Sequence, residues 1–278
     1  MALRALFLAA VLAAVACGSS ASEDDASSED AVVAGHPAWL RGDARRRAEQ
    51  LTSLFENGTV EIQYAYVEDI HDGRGFTSGR AGFTTATGDA LDVVERYTRA
   101  KPNNVLAHYL PRLRVLAHAE SGSTTGLAGY ADAWKHAADD PVFRAAQDSA
   151  VDATYFTPAM QHADALGLAT PLARAAVYDA IIQHGDGDDA DGLGALLARA
   201  EKAVHGTPAR DVDEKLWLDA FLTVRRADLA HANDPDTREA WAESVNRVDA
   251  LRAIATAGNY ELQGPIVIAS GDFRGTVP

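Results

Sequence analysis

The sequence has few cysteines and an excess of acidic over basic residues. Its single cysteine, Cys17, cannot form an internal disulfide bond, so it either pairs with another molecule or carries a modification. Lysine and arginine together number 25 against 40 aspartate and glutamate residues, which gives a formal net charge of −15. This surplus argues against a nucleic-acid-binding protein, because phosphates require a basic surface. It would attract a polycation, although solubility alone also explains many acidic surfaces.

Long hydrophobic runs are scarce as well. The apolar stretch Leu6–Val15 follows a positively charged residue, Arg4, and it is too short to span a bilayer as a permanent helix. Small residues suited to a cleavage site follow the stretch. We therefore predict that residues 1–16 are a signal peptide and that the protein is exported.

The residues after the signal peptide predict a membrane attachment. The string A-V-A-C resembles a bacterial lipobox, with Ala14 where leucine is usual, and it predicts cleavage before Cys17 and diacylation of that residue. Ordinary secretion with cleavage nearby is the alternative. Residues 17–36 are small, acidic and without periodicity, which is typical of a disordered tether.

Several motifs of catalytic and cofactor sites are absent from the sequence. It contains no G-x-S-x-G elbow, no H-E-x-x-H pair and no phosphate-binding loop. The acidic run D-G-D-D-A-D-G at residues 186–192 lacks the spacing of an EF-hand and its closing glutamate, so we interpret it as an acidic loop. We expect neither a metal nor any other cofactor.

The periodicity from residue 37 onward predicts a mainly α (α+β) protein. Apolar residues at three- and four-residue steps predict a first helix that ends at Glu56-Asn57-Gly58, since Asn-Gly is a stop signal. The alternation in residues 59–66 predicts a strand, and the glycines up to residue 87 predict a small antiparallel sheet. Almost everything beyond Gly88 is predicted to be helical, over residues 89–100, 103–118, 127–137, 141–165, 171–184, 192–204, 212–231 and 238–257.

Two carboxyl groups stand out because their predicted surroundings differ. Glu56 ends the first helix beside apolar residues, whereas Asp72 lies on a glycine-flanked bend with Arg74 two positions later. Carboxyl groups in contrasting environments serve as general acid and general base, and glycoside hydrolysis requires such a pair. Taken singly, Glu56 is more often explained as a solvated residue at a helix end, and Asp72 as an ordinary Asp-Gly turn.

A longer set of strings resembles the chitosanases of glycoside hydrolase family 46. The strings keep the family's order over roughly residues 40–265, and they include S-L-F-E-N, Y-V-E-D-I-H-D-G-R-G-F-T-S-G, G-F-T-T-A-T-G-D-A-L-D-V-V-E-R-Y-T, N-V-L-A-H-Y-L-P-R-L, Y-D-A-I-I-Q-H-G and N-R-V-D-A-L-R. The resemblance implies a lysozyme-like fold, in which two helical lobes and a small antiparallel sheet flank a cleft. It places a catalytic domain of two lobes over residues 37–278.

The resemblance also implies roles for individual residues. Glu56 matches the general acid, Asp72 the general base, and Thr77 the threonine that helps to hold the attacking water. Three further residues match substrate-binding positions, namely Arg74, Asp89 and His184. A local alternative for Asp89 is that it caps the helix that follows, and an isolated histidine such as His184 is more often structural.

Three charged residues occupy apolar faces of predicted helices. Asp179, Arg225 and Arg247 each fall where the neighbouring apolar residues point, and a buried charge is costly unless an opposite charge balances it. We therefore infer an Asp179–Arg225–Arg247 network in the core. The family has such a network at the matching positions, where it supports the catalytic acid.

The resemblance finally implies a substrate and a reaction. Chitosan is a β-1,4 polymer of glucosamine and is cationic when its amines are protonated, so the negative charge of the protein would concentrate it. With 7% aromatic residues, electrostatics should dominate stacking in binding. We expect an inverting endo-hydrolase that acts as a monomer on chitosan and glucosamine oligosaccharides and meets a membrane only through its N-terminal lipid. The alternatives are a lysozyme-like peptidoglycan hydrolase and a chitosan-binding lipoprotein without catalysis.

Overall fold

The computed structural model describes residues 39–187 and 189–278, which form two compact units. One unit comprises the chain up to Val60 and from Tyr155 to Pro278, and the other comprises Glu61–Thr154. The predicted signal peptide, Cys17 and the acidic tether lie outside the described residues. Within the two described ranges, no helix combines the length and the apolar character needed to cross a bilayer.

Helices dominate both units, as predicted. The first half of the described chain contains α1 (Gly42–Asn57), β1 (Val67–Asp69), β2 (Phe76–Ser78), β3 (Phe83–Thr84), α2 (Asp89–Ala100), α3 (Leu110–His118), α4 (Tyr130–Ala137) and α5 (Pro141–Val151). The second half contains α6 (Thr157–Leu166), α7 (Pro171–His184), α8 (Leu193–Val204), α9 (Glu214–Ala230), α10 (Arg238–Glu243), α11 (Val245–Thr256), β4 (Ile266–Ser270) and β5 (Phe273–Val277). Short 3₁₀ turns at Ala107–Tyr109 and Pro208–Arg210 and a π-helical turn at Asp152–Phe156 complete these elements.

Helix α7 forms the centre of the first unit. Twelve of its residues are buried and the other two are partly buried, so the helix has no solvent-facing side. Thr170 caps its first turn by accepting a hydrogen bond from Ala173 N, and Pro171 follows at the first helical position, where its fixed φ is favourable. Because α1, α6, α8, α9 and α11 all pack against it, polar residues on α7 are held inside a protein core.

The second unit joins the small sheet to four helices. Its three strands are antiparallel in the order β1-β2-β3, with Glu68 opposite Thr77 and Thr77 opposite Thr84. Helix α2 packs on α3, α5 and β3. An aromatic cluster fills the core, in which Trp134 meets Phe143 edge to face at a ring distance of 4.9 Å. This core fixes the sheet that carries the predicted general base.

The strand predicted for residues 59–66 is wrong. That segment consists of bends and turns, and the strand begins only at Val67. The carbonyl of Tyr64 accepts hydrogen bonds from Trp134 Nε1 and Gln147 Nε2, both at 3.0 Å, and the Tyr64 hydroxyl donates to Asp148 at 2.8 Å. Side chains of α4 and α5 therefore satisfy this backbone in place of a neighbouring strand.

Two further differences concern the end of the chain. The helix predicted for residues 238–257 is divided at Ser244, whose hydroxyl donates to Trp241 O at 2.7 Å and so competes with the helical hydrogen bonds. The hairpin of β4 and β5 was not predicted. Its signal was the string I-V-I-A-S before Gly271, in which buried and exposed residues alternate.

Candidate active site

Glu56 lies in the last turn of α1, just before the glycine that ends the helix. Gly58 has a φ of 70°, and its N–H donates to Leu54 O at 3.0 Å, so the helix stops where the Asn-Gly signal predicts. The side chain of Glu56 is 18% exposed, and its Oε1 accepts a hydrogen bond from Arg247 Nη1 at 2.5 Å. A carboxyl group that solvent can still reach is therefore held by a cation from α11.

Arg247 is held in turn by Asp179 of α7. Its Nε donates to both carboxylate oxygens of Asp179 at 3.0 and 2.8 Å, and its Nη2 donates to Oδ1 at 2.7 Å. Arg225 of α9 reaches the same carboxylate, with Nη1 2.7 Å from Oδ2. The predicted network of Asp179, Arg225 and Arg247 is thus present, and all three side chains are buried.

The balance of charge in this cluster offsets the cost of burying it. Burial opposes the ionised form of Asp179, but the charges of Arg247 and Arg225 and their hydrogen bonds prevail and lower its pKa to about 2. Burial likewise opposes the charge on Arg247, yet Asp179 and Glu56 raise the pKa of that guanidinium group. Asp179 and Arg247 therefore both remain charged at neutral pH.

Gln183 completes the surroundings of Arg225 and was not singled out from the sequence. Its Oε1 accepts a hydrogen bond from Arg225 Nη2 at 2.7 Å, and its Nε2 donates to Ser244 Oγ at 2.8 Å. Gln183 follows Asp179 by four residues on α7. That i,i+4 spacing on a helix with few polar residues was the available signal.

His184, the last residue of α7, has a buried side chain. Its side chain has no exposed surface, and both ring nitrogens contact protein groups: Nδ1 lies 2.9 Å from Asp191 O and Nε2 lies 3.3 Å from Arg225 Nε. Burial, reinforced by the charge on Arg225, lowers the pKa of His184 well below 6.5. The imidazole therefore belongs to the core in this structure, and the contact of His184 with a sugar stays a prediction.

Asp72 lies on the bend between β1 and β2, where the backbone and side chain of Arg74 both donate hydrogen bonds to its carboxylate. Asp72 Oδ1 accepts a hydrogen bond from Arg74 N at 3.0 Å, and Oδ2 accepts from Nε at 2.8 Å and from Nη2 at 2.5 Å. Partial burial opposes ionisation, but the hydrogen bonds and the charge of Arg74 lower the pKa of Asp72 below 3.8. Asp72 is thus kept ionised, as a base must be, while the contact of Arg74 with a substrate stays a prediction.

The two glycines around Arg74 serve different purposes. Gly73 and Gly75 both have a positive φ, of 85° and 77°. A Cβ at position 73 would meet nothing within 4 Å, whereas a Cβ at position 75 would collide with Thr85 Oγ1. That hydroxyl accepts a hydrogen bond from Phe76 N at 3.2 Å. Gly75 therefore permits a close approach that holds the bend against the following loop.

We expect G75A to be much more damaging than G73A. The positive φ alone should cost G73A about 1–2 kcal/mol of stability, and the collision should cost G75A about 1–3 kcal/mol more. Thermal unfolding followed by circular dichroism would measure both variants, with G73A as the matched control. Equal melting temperatures for the two variants would contradict this account of the bend.

Thr77 lies in the middle of the three-stranded sheet. It is 2% exposed, and its Oγ1 makes no hydrogen bond to any residue that the structure describes. Buried hydroxyl groups usually have a partner, so the fold itself does not use the hydrogen-bonding capacity of Thr77.

Asp89 is the first residue of α2, and its two carboxylate oxygens have different surroundings. Oδ1 accepts hydrogen bonds from Thr84 N at 2.8 Å, Thr87 Oγ1 at 2.6 Å and Ala90 N at 3.1 Å. Oδ2 accepts none of these three hydrogen bonds. Burial raises the pKa of Asp89 against the opposing effect of these hydrogen bonds. One oxygen therefore ties β3 to the helix start, while the contact of Asp89 with a substrate stays a prediction.

Comparison with known proteins shows which family the chain belongs to. The family model of glycosyl hydrolase family 46 matches residues 50–266. The chain is 58% identical over 236 residues to a chitosanase of Bacillus subtilis strain 168, a match that covers 85% of each protein. The chain belongs to glycosyl hydrolase family 46.

Solved structures lead to the same family. A native chitosanase from Bacillus subtilis MY002 matches with a TM-score of 0.77 and 57% identity, over 86% of this chain and all of that one. A Gynuella sunshinyii family 46 chitosanase in complex with chitotetraose matches with a TM-score of 0.75 and 48% identity, over 86% of this chain and 99% of that one. This family 46 protein is therefore a glycoside hydrolase with a lysozyme-like fold.

Proposed function

We propose that this family 46 hydrolase cleaves internal β-1,4 bonds of chitosan with inversion of the anomeric carbon, using Glu56 as general acid and Asp72 as general base. The observation that carries the proposal is the environment of Glu56, a partly exposed carboxyl group at the end of a buried charge network. Asp72 adds support, because Arg74 keeps it ionised.

The substrate follows from charge and from the relatives. The relatives named above are chitosanases, and one of them is described in complex with chitotetraose. Protonated glucosamine units are cations, and the chain carries a formal net charge of −15. Carboxylates such as Asp89 would bind the amino groups through charge-assisted hydrogen bonds, which are stronger than neutral ones.

The mechanism assigns one step to each carboxyl group. Glu56 would protonate the departing glycosidic oxygen, while Asp72 would remove a proton from a water molecule on the opposite face of the sugar. The free hydroxyl of Thr77 would help to orient that water. Attack by water without a covalent intermediate inverts the configuration at the anomeric carbon. Arg247, fixed by Asp179, would return Glu56 to the same position after each turnover.

The stereochemistry provides the direct test. NMR spectra recorded within the first minutes of hydrolysis of a glucosamine hexamer should show the α-anomer as the first product, before mutarotation. A first product with the β configuration would refute the assignment of Asp72 as base.

Loss of chitosan viscosity without clearing of bacterial cell walls would separate this function from peptidoglycan hydrolysis. Binding of chitosan with no release of oligosaccharides would instead indicate a catalytically silent protein.

Asp89 should contribute to binding rather than to the chemical step. In D89N, the amide oxygen can accept the same three hydrogen bonds as Oδ1, while the charge is lost, so the fold should persist. We expect KM for a glucosamine hexamer to rise about 10- to 100-fold, the value of a charged hydrogen bond, with little change in kcat. D92N, on the same helix in a partly exposed pair with Arg96, is the control. An unchanged KM in D89N would leave Asp89 with only its local role.

The N-terminal residues would locate the enzyme outside the cytoplasm. We propose export through residues 1–16 and attachment through a lipid on Cys17, followed by the tether of residues 17–36. Labelling of cells with a radioactive fatty acid should mark the wild-type protein and spare C17S. Unlabelled wild-type protein in the medium would support ordinary secretion instead. Gel filtration of the mature enzyme would test the expected monomer.

A further inference from the structure

The contacts of His184 define the position of its ring proton. Asp191 O can only accept a hydrogen bond, so the Nδ1 that lies 2.9 Å from it carries the proton. Nε2 is then an acceptor, and it faces the Nε–H of Arg225 at 3.3 Å. The indole of Trp241 meets the imidazole edge to face at 4.7 Å and limits its rotation. His184 is therefore a neutral ring of one tautomer, aimed at Arg225.

A buried carboxylate stands beside the protonated nitrogen. Asp228 of α9 has a side chain that is 1% exposed; its Oδ1 pairs with Arg199, and its Oδ2 lies 3.6 Å from His184 Nδ1. Within the described ranges Oδ2 accepts no hydrogen bond. Burial raises the pKa of Asp228 to about 6 against the effect of Arg199, and Asp191 and Asp189 add to the rise. At pH 7 this ionised, acceptor-only group favours a proton on Nδ1.

We propose that His184 is a positioning residue for the proposed hydrolysis and that it acts through Arg225 and the network behind Glu56. The inference rests on the proposed role of Glu56. The continuous contacts run from Asp228 past His184 to Arg225, and from there through Asp179 and Arg247 to Glu56.

Each side chain in this series of contacts limits the movement of the next side chain. The guanidinium group of Arg225 donates three hydrogen bonds: Nη1 to Asp179, Nη2 to Gln183 and Nε to His184. His184 is therefore one of three groups that fix its orientation. Without the acceptor at Nε2, the Nε–H of Arg225 would be buried without a partner, which is costly. Arg225 would then turn to seek one, and Asp179 would move with it. The displacement would reach Glu56 through Arg247.

Two substitutions at position 184 separate the two ring nitrogens. In H184Q the amide oxygen can take the place of Nε2 and still accept from Arg225, whereas in H184N the shorter amide can take the place of Nδ1 and still donate to Asp191 O. We expect H184Q to keep kcat within about threefold of wild type and H184N to lose about tenfold or more, because small displacements of a catalytic group are costly. KM should stay within about twofold in both. The substrate is a glucosamine hexamer at pH 7.

The same pair of variants shows when the inference fails. Equal losses of thermal stability with equal kcat per folded molecule would mean that His184 is merely structural. A higher KM in both variants would mean that it contacts the sugar. Either result would overturn the proposal and leave the role of Glu56 intact, since that role is tested separately by E56Q.

The tautomer of the ring provides an independent test that keeps the histidine. In D228N, Asp191 O can still accept from Nδ1 and the Nε–H of Arg225 can still donate to Nε2, so loss of the neighbouring charge should not move the proton. We expect ¹⁵N NMR of the ring to report the Nδ1–H tautomer both in wild type and in D228N.

An Nε2–H tautomer or a doubly protonated ring in the wild type would overturn the proposal, because Nε2 could then not accept from Arg225. If both variants at position 184 fail to fold, this measurement decides the question.

Discussion

Substitution of Glu56 by glutamine is expected to lower kcat on a glucosamine hexamer by about 10²–10⁴, the usual contribution of a general acid. Glutamine has nearly the same shape and can accept the hydrogen bond from Arg247 through its amide oxygen. It cannot transfer a proton to the departing oxygen. KM should change little, because the loss falls on the chemical step. Reducing-sugar release and single-turnover kinetics would measure the effect.

The same substitution at Glu49 is the control for E56Q. Glu49 lies on the same helix α1, where its Oε1 accepts a hydrogen bond from Arg45 Nε at 3.3 Å. E49Q should retain kcat within about twofold, since it leaves Glu56 and its hydrogen bond from Arg247 in place. Should E56Q keep activity within about tenfold of wild type, Glu56 could not be the general acid, and the proposed mechanism would have to be abandoned.

The second large effect concerns stability, and it should follow from replacing Asp179 by asparagine. Asparagine fills the same volume, but it leaves the buried guanidinium groups of Arg225 and Arg247 with only the charge of Glu56 to balance them. Breaking a buried ion pair in this way costs about 3–5 kcal/mol. We expect a large fall in the melting temperature, and kcat of the folded fraction should fall as well, because Arg247 loses the group that holds it. D249N, which breaks an exposed pair with Arg226, should have little effect.

The contribution of Asp179 to the stability of the folded protein should decrease as the pH falls. The pKa of Asp179 in the folded protein is about 2, below the ordinary 3.8. The ionised carboxylate therefore stabilises the folded state at pH above about 4, and this contribution is lost as the pH falls towards 2. The difference in melting temperature between wild type and D179N should narrow over that range. A difference that stays constant, or widens, would show that Asp179 does not derive its effect from charge.

The sequence predicted the helices best where local chemistry marks both ends. Helices α2 and α7 have the predicted bounds, since Asp89 follows Gly88 and Pro171 follows the capping Thr170. Residues 59–66 show the limit of local patterns, because the alternation is real but the carbonyl of Tyr64 is satisfied by side chains of α4 and α5. The information that decides this segment lies about 70 to 80 residues away in the chain.

The residues of the candidate site likewise differ in how far the sequence alone predicts their position. Asp179, Arg225 and Arg247 were predictable, because a charge on an apolar helix face needs a partner and each could supply one for another. The burial of His184 was not predictable, since one histidine at the end of a helix has the same spacing whether it faces solvent or the core. The resemblance to a family supplied its role but could not supply its burial. Asp228 lies three residues after Arg225 on the same apolar face of α9, so its burial follows from the same reasoning.

Because α7 is buried on every side, the enzyme should lose its folded structure and its activity together. A helix without an outer face cannot loosen by itself, because every turn is in contact with another helix of the unit. Heat or urea should therefore abolish turnover and melt this part of the protein along one common curve, with no range in which a folded enzyme has lost only its acid. Efforts to make the protein more robust would thereby also extend the temperatures at which it works.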